Sequence, residues 1–267
     1  HGLGAESACG RDVCATTTGN AKQGGPDMAI SYSTTEAVAT ITIDRADKHN
    51  CLNRSMLSEL GDCLSAVETN REIRVLIVRG AGGRSFSTGA DLKDFRQLDS
   101  NELSGWIKLG HQLFTRLEDL PVATIAVIEG YAYGGGLELA LACDLRLATT
   151  NATLCSPELQ HGSLPGWGGL SRLRRILGEA RAKQLVYLGE VITASEAERM
   201  GLVNWVVTPE KLAEKLSSLG QQLTEVDPMA FELGKAALSD SLRSTGGAHV
   251  QYEVMATLLA RQSRQEE

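Results

Sequence analysis

The chain contains 267 residues, of which 42% are hydrophobic and 22% charged, a composition typical of a soluble globular protein with a sizeable core. The formal net charge of −7 argues against a general nucleic-acid-binding surface. Because no apolar run reaches the roughly 18 residues of a membrane helix, we expect neither nucleic acid nor membrane as a partner.

Residues 1–27 are rich in Gly, Ala, Thr and Ser and show no hydrophobic period, which predicts a flexible leader before Met28. This stretch lacks the apolar centre of a secretory signal, and it is poor in the arginine typical of mitochondrial presequences. We therefore expect a cytoplasmic location, with the mitochondrial matrix as the alternative for a form whose presequence has been removed.

Strands and helices alternate in the next part of the chain. The β-branched run at 38–43 predicts a strand, as do the apolar runs at 74–80 and 123–130. Asn53 is a plausible cap for a helix after the first strand, and a second helix is predicted at 102–117. The apolar face of the first helix contains Met56, Leu57, Leu60, Cys63, Leu64 and Val67. Strand, helix, strand implies a parallel pair and an α/β core.

The pattern becomes mainly helical after Asp144. Short strands are predicted at 145–149 and 202–207, with helices between them at about 170–177, 180–188 and 194–200. From Pro209 onward the spacing of apolar residues predicts amphipathic helix, with its apolar positions at Leu212, Leu216, Leu219 and Leu223.

The first segment whose residues could take part in catalysis is RSFSTGADLK at 84–93, which follows a predicted strand. Gly89 allows a tight turn that directs the N–H of Ala90 outward. The second segment is EGYAYGGGLELA at 129–140, where the N–H of Gly135 is expected at a helix N-terminus. Unpaired amides there favour an oxyanion, so the two amides together predict an oxyanion hole. The alternative for the glycines is a tight turn or close helix packing.

Two carboxylates accompany these segments. Glu138 lies in the first turn of an otherwise apolar helix, and Glu158 follows Pro157 in the third segment, CSPELQHGSLPGWGG at 155–169. Placed together, they divide base and acid roles, because like charges at close range raise one pKa. The alternatives are stabilisation of a helix N-terminus by Glu138 and a solvated loop position for Glu158.

The cysteines and histidines predict no metal site. The six cysteines form no CxxC pair and read as reduced thiols. His161 is close to Glu158 in sequence, but a single loop histidine is more often solvent-facing, and no cluster has metal-ligand spacing. The cysteines are Cys9, Cys14, Cys51, Cys63, Cys143 and Cys155.

Taken jointly, FSTGADLK, GYAYGGGLELALACD and SPELQHGSLPGWGG resemble the enoyl-CoA hydratase/isomerase (crotonase) family, from about Ala29 to the end of the chain. The resemblance implies a spiral of β-β-α units at 28–207, followed by a helical oligomerisation region at 208–267. It also implies a homotrimer or homohexamer. The chain ends at RQSRQEE, near where family members continue into a last helix that often covers the CoA site, so the resemblance leaves trimer packing and the completeness of the acyl pocket open.

The resemblance implies a hydro-lyase that adds water to a trans-2-enoyl-CoA. In this assignment the amides of Ala90 and Gly135 bind the thioester oxygen, Glu138 activates water and Glu158 protonates the α carbon. Coenzyme A is part of the substrate, and no separate cofactor is expected. The alternatives are an enoyl-CoA isomerase or other enolate chemistry on an acyl-CoA, and a non-catalytic RNA-binding or assembly member of the family.

The resemblance also implies CoA contacts around the first segment and near Lys48, for which a solvated lysine is the alternative. Trp167 narrows the acyl pocket or caps a helix. The full set of residues expected to bind substrate or CoA is Lys48, Ser87, Gly89, Ala90, Asp91, Leu92, Gly134, Gly135, Pro157, Gly166 and Trp167.

Overall fold

The computed structural model describes residues 29–241, 254–259 and 261. The predicted leader at 1–27 lies outside the described residues, as does part of the predicted C-terminal region. The strands are β1 (Ile30–Thr35), β2 (Val38–Ile43), β3 (Val75–Gly80), β4 (Ser85–Ser87), β5 (Ala123–Ile128), β6 (Tyr131–Tyr133), β7 (Leu145–Thr149), β8 (Thr153–Cys155), β9 (Ile192–Thr193) and β10 (Trp205–Val207). The helices are α1 (Arg54–Thr69), α2 (Leu92–Phe95), α3 (Ser100–Asp119), α4 (Gly135–Ala142), α5 (Gly169–Leu188), α6 (Ala194–Met200), α7 (Leu212–Thr224) and α8 (Pro228–Ser241).

The strands form two sheets. The larger has the order β1-β2-β3-β5-β7-β10 and is parallel except for the β1–β2 hairpin, and the smaller has the order β4-β6-β8-β9. Successive strands enter the two sheets alternately: β3 is followed by β4, β5 by β6 and β7 by β8, and each such pair leads into a helix. This is the predicted α/β spiral of β-β-α units.

Local sequence explains most of these elements. Asn53 caps α1 by accepting from Met56 N, and all six apolar residues assigned to that helix are buried. The two helices predicted at 170–177 and 180–188 both lie within α5 and are separated at Gly178, whose φ of +73° and ψ of 171° are not helical. The last strand, predicted at 202–207, contains only Trp205–Val207.

Both faces of the larger sheet are covered, because successive side chains along each strand point to opposite faces and both sets are apolar. On β3, Leu76 and Val78 join the main core with α1 and α3, whereas Val75 and Ile77 face the other way. Leu212 and Leu219 of α7 pack on that second face. None of the helices in the described part of the chain has the length and apolar character of a bilayer span.

Candidate active site

The amide of Ala90 lies in a turn that follows β4. Gly89 has a φ of +82°, in the left-handed region that favours glycine. The groups on either side of Ala90 pair with one residue, since Leu52 N donates to Gly89 O at 2.7 Å and Asp91 N donates to Leu52 O at 2.8 Å. Among the residues that the structure describes, none accepts the Ala90 N–H, which leaves this amide available to a ligand.

Asn50 fixes this turn from beneath, a role that the sequence did not reveal. Its fully buried side chain donates to Ser85 O at 2.7 Å and to Ala81 O at 3.0 Å. The backbone carbonyl of Asn50 accepts from Ser87 Oγ at 2.8 Å, and the Ser87 hydroxyl in turn accepts from Gly89 N at 3.1 Å. Buried polar groups are stable only when paired in this way, so the chain of bonds ties the turn to a single conformation.

Asp91 is held on the other side of the turn. Its carboxylate accepts from Lys93 N at 3.0 Å and pairs with Arg45 Nη1 at 2.7 Å. Burial opposes ionisation, yet the hydrogen bonds from Arg45 and Lys93 lower the pKa of Asp91. The side chains of Ser87 and Asp91 are thus engaged within the protein, and their predicted contacts with CoA would use backbone atoms. The Leu92 side chain is 53% exposed.

The second amide, that of Gly135, is the first in α4 and lies against the first turn. A Cβ built on Gly89 would lie 2.5 Å from Gly135 N and 3.0 Å from Gly135 Cα. Gly134 has a φ of +53°, and a Cβ on Gly136 would meet Ser87 Cβ at 2.9 Å. The glycines therefore permit a close approach that brings the two predicted donors together. No residue in the described ranges accepts the Gly135 N–H.

Glu138 projects from the first turn of α4 into the protein, where it is 4% exposed. Its Oε1 accepts from Trp167 N and from Gly169 N, both at 2.8 Å. The alternative role, stabilisation of its own helix N-terminus, does not account for these bonds, because the donors lie at the start of another helix: Trp167 just before α5 and Gly169 as its first residue. Two amide donors to one oxygen favour the ionised carboxylate.

Glu158 begins a 3₁₀ turn that ends at His161. Its Oε2 accepts from Ser156 Oγ at 2.8 Å, whereas its Oε1 is buried without a hydrogen-bond partner in the described residues. A Cβ built on Gly134 would lie 3.4 Å from that Oε1, so the carboxyl group lies beside the start of α4. A buried oxygen with no donor favours the protonated group.

The surroundings of the two carboxyl groups separate their roles. Burial raises the pKa of Glu138 to about 7, with the charge of Glu158 adding to the rise and the amides of Gly169 and Trp167 opposing it. Burial also raises the pKa of Glu158, against the bond from Ser156. Burial favours the neutral form of both carboxyl groups, so the pKa shifts alone do not divide the roles. The hydrogen bonds do, because two amide donors stabilise negative charge on Glu138 whereas Glu158 Oε1 has no donor in the described residues.

Both the sequence and the fold of this chain match known proteins. The family model described as enoyl-CoA hydratase/isomerase matches residues 33–266. The chain belongs to the enoyl-CoA hydratase/isomerase family. It is 38% identical to a crotonyl-CoA hydratase of Syntrophomonas wolfei over 78% of this chain and 80% of that one. It is 37% identical to a short-chain-enoyl-CoA hydratase of Clostridium acetobutylicum over 77% and 79%.

A solved structure supports the same assignment. The crystal structure of an enoyl-CoA hydratase from Bacillus anthracis matches with a TM-score of 0.83 and 35% identity, over 86% of this chain and 90% of that one. The spiral predicted from three motifs is thus confirmed as the fold of this enoyl-CoA hydratase/isomerase family member.

Arg172 holds the segment that binds Glu138, although its sequence position gave no signal of this. It is 3% exposed and donates to Glu118 Oε2 through Nε at 3.0 Å and Nη2 at 2.8 Å. Its Nη1 donates to Trp167 O at 2.8 Å. Arg172 thereby fixes the turn whose amides bind Glu138, and its charge lowers the pKa of that carboxyl group.

Replacing Arg172 by methionine is expected to lower kcat/KM at neutral pH by about 10- to 100-fold, because small misplacements of a catalytic group are costly. Glu138 must be ionised to act as a base, so the rate rises as pH passes its pKa. Loss of the cation raises that pKa, and the acid limb of the pH profile moves to higher pH.

The control for this experiment is Arg175→Met. Arg175 also pairs with Glu118 but makes no hydrogen bond to the turn at 167–169. We expect its pH profile to match that of the unaltered protein. An unshifted acid limb in Arg172→Met would show that Arg172 serves folding alone.

The remaining predicted binding residues lie on several different elements. Lys48 is exposed at the end of a 3₁₀ turn, and its contact with CoA stays a prediction. Pro157 precedes the turn that carries Glu158, and a Cβ on Gly166 would lie 3.4 Å from Ile107 Cγ2 of α3. His161 is exposed. In the described residues there is no group of three or more potential metal ligands.

Proposed function

We propose that this protein is an enoyl-CoA hydratase that reversibly adds water to a trans-2-enoyl-CoA. One observation carries the proposal: the buried Glu138 carboxylate accepts from two amides, whereas Oε1 of the half-buried Glu158, beside the start of α4, has no donor in the described residues. Glu138 is bonded as a base, and Glu158 has an oxygen free to carry a proton. An isomerase needs only a group that moves a proton between carbons, so the second carboxylate favours hydration.

In the proposed reaction, the amides of Ala90 and Gly135 bind the thioester oxygen of the acyl-CoA. Glu138 takes a proton from water as the water oxygen bonds to the β carbon. The double-bond electrons move to the thioester oxygen as an enolate, which the two amides stabilise. Glu158 then gives its proton to the α carbon as the carbonyl re-forms. The sum is the addition of one water molecule, and it requires no oxidant or cofactor beyond the CoA in the substrate.

The test is incubation of the purified protein with crotonyl-CoA and longer trans-2-enoyl-CoA esters, followed by the loss of absorbance of the conjugated thioester. We expect turnover and a 3-hydroxyacyl-CoA product. Absence of turnover at every chain length would contradict the proposal. Conversion of a 3-enoyl-CoA without hydration would identify the protein as an isomerase instead.

We also propose a homotrimer or a dimer of trimers. The family resemblance suggests this assembly, and large apolar side chains are exposed near the end of α5, where Tyr187, Leu188 and Val191 are each more than half exposed. Sedimentation equilibrium should give a multiple of three chain masses. A stable monomer at micromolar concentration would contradict this proposal.

A further inference from the structure

The indole of Trp167 occupies the space between the second amide donor and α3. A Cβ built on Gly135 would lie 2.7 Å from Trp167 Cε3, and one built on Gly110 of α3 would lie 2.5 Å from Trp167 Cδ1. The ring therefore extends from the glycine whose amide binds the thioester oxygen to the facing helix. Both neighbours are glycines, and any side chain there would collide with the indole.

Trp167 is held in this position by its ring and by its backbone. The side chain is 3% exposed and packs edge-on against Trp106, at a centroid distance of 5.0 Å, and against Phe114, at 5.3 Å. The backbone N–H of Trp167 donates to Glu138, and its backbone carbonyl accepts from Arg172. Movement of the ring would disturb an aromatic cluster, and movement of the backbone would displace the catalytic base.

The position of the ring bears on the acyl group because the same residue contacts the base. Glu138 delivers water to the β carbon in the proposed mechanism, and Trp167 is one of its two hydrogen-bond donors. The carbons beyond the β carbon therefore begin next to Trp167, and the indole fills the route toward α3. A close-packed aromatic wall cannot compress to admit more methylene groups.

We propose that Trp167 ends the acyl pocket and restricts the enzyme to short-chain enoyl-CoA esters. This inference rests on the proposed hydratase function. It assigns chain-length selection to one side chain on the turn that also orients Glu138, so that substrate length and base position are set together.

The test compares kcat/KM for crotonyl-CoA and 2-decenoyl-CoA in the unaltered protein and in Trp167→Leu. The unaltered protein is expected to favour crotonyl-CoA by about 10²-fold or more, and Trp167→Leu is expected to raise kcat/KM for 2-decenoyl-CoA by about tenfold or more. Trp167→Phe, which keeps an aromatic ring in the cluster, should shift the ratio less but in the same direction. Trp205→Leu is the matched control, because the Trp205 side chain packs in the cluster between the larger sheet and α7, which contains no residue of the site.

The outcomes separate the two proposals. If the unaltered protein hydrates no enoyl-CoA, the proposed function fails. If it hydrates crotonyl-CoA and 2-decenoyl-CoA equally well, the function stands and Trp167 is not a limiting wall. An unchanged ratio in both Trp167 variants would also overturn the inference, as would a change in Trp205→Leu equal to that in Trp167→Leu.

Discussion

Replacing Glu138 by glutamine is expected to lower kcat for hydration of crotonyl-CoA by about 10²-fold or more, the usual contribution of a positioned general base. A glutamine Oε1 can still accept from Trp167 N and Gly169 N, so the turn before α5 keeps its place. The variant therefore loses basicity without losing the hydrogen bonds that organise the site. Steady-state kinetics together with thermal unfolding should show low activity in a folded protein.

Glu158→Gln should cause a loss of similar size, because an amide cannot deliver the proton to the α carbon. The two residues act on one reaction, so the double variant is expected to lose much less than the product of the two single losses. Glu129→Gln is the control: this carboxylate pairs with Arg79 of β3 instead of with the amides or carboxyl groups of the site, and its removal should leave kcat unchanged. Full hydratase activity in either single variant would mean that the substituted residue is not the base or the acid of the reaction.

Conversion of a 3-enoyl-CoA, which needs proton transfer at the α carbon but no water, can separate the role of Glu138 from that of Glu158. In Glu138→Gln, Glu158 remains able to move a proton to or from the α carbon, so slow conversion of a 3-enoyl-CoA should persist while hydration is lost. In Glu158→Gln, both reactions should be lost. The reverse pattern would mean that the assignment of base and acid is wrong.

The sequence predicted the elements whose signals are local. The apolar stripe of α1, its Asn53 cap and the β-branched run of β2 each specify an element through neighbouring residues alone, and each is confirmed. The strands of the smaller sheet were not predicted, because they are short: β6 and β8 have only three residues each. Such short segments contain too few positions for a period, and they are strands because parallel neighbours pair with them.

The residues of the site also divide into those with a local sequence signal and those that depend on distant contacts. Gly89, Gly134 and Glu138 could be selected because glycine clusters and a charge in an apolar helix are unusual in themselves. Asn50 and Arg172 could not, since an asparagine in a loop and an arginine in a helix are common. Both are buried and bond to groups distant in sequence, Asn50 to Ser85 O, 35 residues away, and Arg172 to the Glu118 carboxylate, 54 residues away. A fully buried Asn or Arg is recognisable only once the fold is known.

Gly89→Ala is expected to lower kcat/KM by about 10²- to 10³-fold or more, the loss associated with one oxyanion donor, because it disturbs both. The new Cβ would lie 2.5 Å from Gly135 N and 3.0 Å from Tyr133 O, and neither backbone group can yield as a flexible side chain would. The chain must shift at Gly89, which moves the adjacent Ala90 amide away from the Gly135 amide. Binding of butyryl-CoA, measured by calorimetry, should weaken far less than catalysis, because the donors act most strongly on the developing enolate.

Gly201→Ala separates this effect from backbone strain. Gly201 has a φ of +80°, close to the +82° of Gly89, but a Cβ at Gly201 would meet no atom within 4 Å. Both variants carry the left-handed backbone penalty of about 1–2 kcal/mol, so both should show a lower free energy of unfolding. Only Gly89→Ala should lose activity at a temperature where both are folded. Equal kcat/KM in the two variants would mean that the Ala90 and Gly135 amides do not bind the thioester oxygen, because their separation would then have no effect on the rate.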